Sequence, residues 1–185
     1  MSQVRLFTTV WDNNMYIFNI RCSYINFALT VNCDCWRSRS RSPSRGWYHN
    51  GYTDAIDFQT NGSVILQGYR LWGVSSTSSA TFQVTIRLYQ GSSLIAEKTG
   101  SYYTSSSHQT FKVHFSQQIS IRAGVLYTAT SKITTSAQSF YLSDGINSAT
   151  CSGVTVTFQQ SSNSTNGSGV SMGQIPALIF RAQKC

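Results

Sequence analysis

The sequence predicts an all-β protein, an antiparallel β-sandwich of jelly-roll-like type behind a mostly disordered N-terminal leader. Three observations carry this prediction. The first is alternation: Phe82, Val84, Ile86 and Leu88 fall on one side of an extended segment, and Thr81, Gln83, Thr85 and Arg87 on the other. The second is composition: 13% of residues are aromatic, 11% are charged, and Glu97 is the single glutamate, so exposed-helix formers are scarce. The third is spacing, because short alternating runs follow one another with turn residues between them from Gly46 onward.

The elements follow in order. Ala55–Gln59 and Ser63–Leu71 flank Asn61-Gly62, a pair that signals a tight hairpin. Thr81–Tyr89 and Leu94–Tyr103 are separated by Gln90-Gly91-Ser92. Phe111, Val113 and Phe115 alternate with Lys112 and His114, and Val154, Val156 and Phe158 with Thr155 and Thr157. Val125–Ile133 and Gln174–Arg181 complete the strands. Pro176 reads as the approach to an edge strand, and Gly68 and Gly73 as places for a bulge or close backbone approach. Seven to ten strands of this kind suit a sandwich.

The domain boundary is expected at residue 46: residues 1–45 form a disordered or atypical leader, and residues 46–185 the β domain. Residues 37–45 read Arg-Ser-Arg-Ser-Arg-Ser-Pro-Ser-Arg, a low-complexity tract that cannot build a core. The formal net charge is +8, and the leader holds six of the fourteen basic residues. The five cysteines are Cys22, Cys33, Cys35, Cys151 and Cys185. Three lie in the leader, so no disulfide framework is expected, which fits a reducing, cytoplasmic compartment. Polar residues from Asp12 to Asn26 interrupt the apolar start, so no signal sequence or membrane span is read there. Asn61, Asn163 and Asn166 begin glycosylation tripeptides of the kind that chance supplies in a chain rich in Asn and Ser.

Chemistry is hard to find. Cys33-x-Cys35 lacks the second pair a zinc site needs, and no metal or cofactor is expected. Asp54 and Asp57, three apart on a strand, point to opposite faces and cannot flank one bond; they read as an Asp at a strand start and a solvated Asp. His108 lies in a Ser-rich turn and His114 on a wet strand face. No G-x-S-x-G elbow, P-loop or G-x-G-x-x-G occurs. Arg37, Arg39, Arg41 and Arg45 could neutralise phosphates, and phosphorylating Ser38, Ser40, Ser42 or Ser44 would reverse that charge. Trp47, Tyr48, Tyr52, Tyr69, Trp72, Tyr102 and Tyr103 gather near strand ends, where they either close the core or form a binding patch.

Several segments, in order, resemble the PHR domain. Gly46-Trp-Tyr-His-Asn-Gly-Tyr-Thr-Asp-Ala-Ile-Asp-Phe58 is similar to the opening of that domain. Val64–Gly73, Tyr127-Thr-Ala129, Asn166-Gly-Ser and Gly173-Gln-Ile-Pro-Ala-Leu-Ile-Phe180 are similar to its later elements. The resemblance implies a non-catalytic antiparallel sandwich that recruits a partner or substrate to a ubiquitin ligase, as in Pam- and Highwire-type RING ligases and BTB–BACK cullin adaptors. The partner-binding candidates are Trp47, Tyr48, Tyr52, Asn166 and Gly167. The Arg-Ser tract stands where the family has its first strand. Either that strand is missing, leaving a sheet edge open, or the leader supplies a substitute. Two other readings compete: a lectin-like glycan-binding sandwich, and an RNA-associated protein acting through the Arg-Ser leader. A protein partner is preferred over nucleic acid, and no membrane is expected.

Overall fold

The computed structural model describes residues 29–184, all strand, turn and loop. The expected leader segment 1–28, with Cys22, and Cys185 lie outside the described residues. The strands are β1 (Leu29–Trp36), β2 (Ser44–Trp47), β3 (Thr53–Thr60), β4 (Val64–Trp72), β5 (Ser79–Gln90), β6 (Ser93–Ser105), β7 (Thr110–Ile121), β8 (Tyr127–Thr134), β9 (Ser139–Tyr141), β10 (Ser148–Cys151), β11 (Val154–Gln159) and β12 (Ala177–Lys184). All pair antiparallel. One sheet has four strands in the order β1-β12-β4-β7, a second has six in the order β10-β11-β3-β8-β5-β6, and β2 and β9 form a two-stranded ribbon.

Alternation places the core. Phe82, Val84, Ile86 and Leu88 of β5 are buried, as are Ile56 and Phe58 of β3 and Val156 and Phe158 of β11. They meet Leu66, Tyr69 and Leu71 of β4, Val113 and Phe115 of β7, and Phe180 of β12 in one apolar cluster. Each such side chain stabilises the fold by roughly 1.5–3 kcal/mol on burial. The Tyr69 hydroxyl crosses between the sheets to donate to the Arg87 carbonyl at 3.1 Å. A bulge in β4 sits at Gly68, where a Cβ would stand 2.1 Å from the Val113 carbonyl oxygen, so only glycine lets β7 approach.

Several expectations need correction. The folded unit does not begin at Gly46. Leu29–Trp36 is β1, paired with β12 along its length, so the leader supplies an edge strand. Its inward side chains are Cys33 and Cys35, both buried. Cys33 is joined to Cys151 of β10, tying the edges of the two sheets together on one side of the sandwich. No disulfide framework is expected from the sequence, yet this one bond forms between a leader cysteine and the β domain.

Second, the Arg-Ser tract is not part of a disordered leader. Arg37 is buried, Ser38 bridges to Gly145, and Ser44–Trp47 pairs with β9. Third, β12 is not an edge strand, because β1 covers its outer side. Pro176 lies just before it, where a missing N–H breaks no ladder, and its carbonyl accepts from the Arg37 amide at 2.9 Å. Fourth, Asn61-Gly62 is not a hairpin: β3 and β4 belong to different sheets, and the turn carries the chain between them. The Asn61 side chain instead accepts from the Thr155 amide of β11 at 2.8 Å.

Candidate functional site

Asp54 is placed at the start of β3 on the inward side, in line with Ile56 and Phe58, and is fully buried. A buried carboxylate needs donors. Trp47 Nε1 donates to Oδ1 at 3.0 Å, Asn166 Nδ2 to Oδ2 at 3.2 Å, and the Ser168 hydroxyl to Oδ1. Asn166 Nδ2 also donates to the Tyr48 carbonyl at 2.9 Å. Next along β3, the Thr53 amide donates to Thr165 Oγ1 at 2.9 Å, and the Thr53 carbonyl accepts from the amides of Thr165 and Asn166 at 2.8 and 3.2 Å.

These bonds fasten two loops, residues 48–52 and 160–169, to one strand end. Burial pushes the Asp54 carboxyl up to about 6, while its three donors and the Arg37 charge pull the other way. Asp54 was expected to be an Asp at a strand start. It is that, but the burial and the role as an anchor were not expected.

Arg37, the first arginine of the Arg-Ser tract, is the second anchor. It is 1% exposed. Its guanidinium donates to the carbonyls of Ile175 at 2.5 Å, Gly169 at 2.8 Å, Val170 at 2.9 Å and Met172 at 3.4 Å. Burial draws its pKa down to about 9 against the Asp54 charge, so it stays protonated at neutral pH. Asp54 therefore holds the front of the 160–175 segment and Arg37 its back.

The five sequence candidates meet here. Trp47 is half-buried and packs on Tyr141 with ring centroids 5.0 Å apart. Tyr48 and Tyr52 are 62% and 51% exposed, which makes their rings open contact surface. Asn166 is half-buried, and Gly167 is exposed at the turn with φ +77 and empty space where a Cβ would be. Tyr69 and Trp72, also raised by the sequence, are fully buried in the core. Lys132 on β8 pairs with Thr53, which brings a cation to the same strand end. An open groove of about 480 Å³ continues from the site, lined by Thr53, Arg87, Tyr89, Thr130, Asn163 and Thr165.

One buried contact has the atoms of a nucleophile and a base. His49 Nε2 lies 3.1 Å from the Ser139 hydroxyl, and both residues are almost fully buried. The Ser139 hydroxyl donates to the Phe140 carbonyl at 2.7 Å and accepts from Gln174 Nε2 at 2.6 Å. The Ser139 hydroxyl is thus shared among Phe140, Gln174 and His49. No carboxylate orients Nδ1, which has no partner, and burial pulls the imidazole down to about 4. The trio pins β9 to the 172–176 segment and is not arranged for acyl transfer. His108 and His114 are both exposed. Among the described residues, no three His, Cys, Asp or Glu side chains converge on a metal-sized site, and no helix is long and apolar enough to cross a membrane.

The sequence model of the PHR domain matches residues 38–181. BTB/POZ domain-containing protein 3 of Mus musculus is 36% identical over 139 residues, covering 75% of this chain and 26% of that protein. The protein of the same name from Homo sapiens gives the same identity and coverage. BTB/POZ domain-containing protein 6-A of Danio rerio is 35% identical over 149 residues, covering 80% of this chain and 27% of that protein. The chain thus spans about a quarter of the length of the curated relatives it matches.

Proposed function

This chain belongs to the PHR domain family, and from that premise we propose that it is a non-catalytic protein-interaction module that brings a partner or substrate to a ubiquitin ligase. The docking surface in this reading is the loop face around Trp47, Tyr48, Tyr52, Asn166 and Gly167. The observation that carries it is the pair of anchors behind exposed rings. Tyr48 and Tyr52 stand in solvent on loops that Asp54 holds from beneath. A partner would therefore meet rigid aromatic surface with little ordering cost.

The kinship with BTB/POZ domain-containing proteins supports an adaptor role, with the BTB part engaging the ligase and this module the partner. A cytoplasmic location goes with this reading. There a reducing thiol pool would open Cys33–Cys151, and the sandwich would rest on its core alone. The nucleic-acid reading loses support, because three of the four tract arginines are engaged: Arg37 by carbonyls, Arg41 over Trp36 at 5.2 Å and Arg45 over Phe140 at 5.3 Å.

Affinity capture from cell extract tests the proposal, with the wild-type chain beside a Tyr48→Asp/Tyr52→Asp variant. Both side chains are largely exposed, so the variant should fold. Loss of a hot-spot aromatic costs about 2 kcal/mol or more, roughly thirtyfold in affinity. The wild type is expected to retain a specific partner with ligase components, and the variant to lose it. Equal retention by both, or no specific partner above background, would count against the proposal.

A further inference from the structure

We propose that Ser40 is a phosphorylation site whose modification unlatches the Arg-Ser tract from the β-sandwich. The latch is the Asp144 carboxylate. Ser38 Oγ donates to its Oδ1 at 2.8 Å, and the Ser40 amide and hydroxyl both donate to its Oδ2 at 2.6 Å. Ser40 Oγ and Ser38 Oγ also accept from the amides of Ser42 and Arg41, at 3.1 and 2.8 Å, so the turn is built around these hydroxyls. Burial alone would raise the Asp144 carboxyl, but the Ser40 and Ser38 donors hold it below its ordinary value, so it is ionised at neutral pH.

The segment is open to an enzyme. Arg39, Ser40, Arg41 and Ser42 are exposed, whereas Ser38 is 6% exposed and shielded. Between the Ser38–Gly145 bridge and the start of β2 at Ser44, no residue belongs to a strand. Arg39 and Arg41 flank the hydroxyl with the charge that an arginine-directed serine kinase recognises. In the reaction Ser40 Oγ forms a bond to the γ-phosphorus of ATP. The bond from that phosphorus to the β–γ bridging oxygen breaks, ADP leaves, and the hydroxyl proton passes to the kinase's base.

The product cannot keep the latch. A donor becomes a group of charge about −2, facing a carboxylate at hydrogen-bond distance. Repulsion and the lost donor expel Ser40 from Asp144, and Arg39, the one tract arginine not engaged elsewhere, pairs with the phosphate instead. Release spreads into β2, which holds β9 by only the pairs Ser44–Tyr141, Arg45–Phe140 and Trp47–Ser139. The latch stands whether or not the loop face docks a protein.

The test treats the full chain with ATP and an arginine-directed serine kinase. A free peptide of sequence 37–45 serves as the kinase control. Intact mass with site mapping is expected to place phosphate on Ser40. Amide exchange across residues 40–47 is expected to rise roughly tenfold or more, as loss of hydrogen bonds to a charged group implies. In an Asp144→Asn background the rise should shrink, because the repulsion is gone. A chain carrying phosphoserine installed at 40 gives the same exchange readout without the kinase. The proposal fails if the peptide is modified while Ser40 of the chain is not, or if phosphate at 40 leaves exchange over 40–47 unchanged.

Discussion

Replacing Arg37 by methionine lowers the unfolding free energy by roughly 3–5 kcal/mol, the range for removing one partner from a buried charged network. The reason is in the partners. The carbonyls of Gly169, Val170, Met172 and Ile175 all turn toward one guanidinium. Methionine fills much of the space but donates nothing, so four carbonyls lose a donor, and those of Ile175 and Gly169 lose it in a buried site. Asp54 also loses the nearest buried positive charge acting on it.

In a chain of this size that is a fall in Tm of roughly 10 °C. Arg37→Lys is expected to recover little, since one compact ammonium cannot replace a planar fork of donors. Thermal unfolding followed by circular dichroism checks both variants. A methionine variant within about 1 kcal/mol of wild type would mean the carbonyls find other donors.

Opening Cys33–Cys151 is expected to cost a similar amount. The two residues are 118 positions apart in sequence, with Cα atoms 6.2 Å apart. In the chain-entropy model, closing a loop of that order constrains the unfolded state by roughly 4.7 kcal/mol. The bond also couples β1 to β10, the edges of two different sheets, so its loss removes the covalent tie between them and leaves β1 its ladder to β12 and the ion pairs of Asp34 with Arg70 and Lys112.

Burial pushes the Cys35 thiol up to about 12, so the neighbouring sulfur stays protonated and does not compete for the bond. Oxidised wild-type chain should therefore melt roughly 10 °C above the same chain in reductant. A Cys33→Ser/Cys151→Ser variant should melt at one temperature in both conditions. Identical melting of the wild type with and without reductant would show that the bond contributes nothing.

β5, β7 and β11 were legible because each alternates apolar and polar residues, as Ile86 and Leu88 do with Thr85 and Arg87, while β3, β4, β6, β8 and β12 were legible from apolar or β-branched runs bounded by turn residues. β1 also alternates, but its inward residues are Cys33 and Cys35. Cysteine carries the signals of disulfide, metal and core at once, and a neighbouring Arg-Ser tract made disorder the simpler reading. Four residues are too few for periodicity to show, which hid β2 and β10. Asn61-Gly62 does mark a turn, but the turn does not say whether the next strand pairs in the same sheet.

The candidate aromatics could be chosen from residue type and position. The anchors behind them could not: Asp54 meets Asn166 and Ser168 across 112 and 114 positions, and Arg37 meets Gly169 across 132. Such partnerships exist only after the sheets have brought the loops together.

The same contacts tie down the loop that carries the exposed rings. Tyr48 is fixed by its carbonyl to Asn166, and the Tyr52 amide donates to the His49 carbonyl at 2.8 Å. His49 in turn is locked to Ser139 of β9. A loop tied at both ends loses little entropy when a partner covers it.

Hydrogen exchange of the full chain, free and bound to the partner it retains, tests this most directly. Protection is expected to rise at residues 47–53 and 163–168 together, with β6 and its exposed Tyr103 unchanged. Protection confined to β6, or spread over the sheets with both loops unaffected, would contradict docking through the Asp54-anchored face.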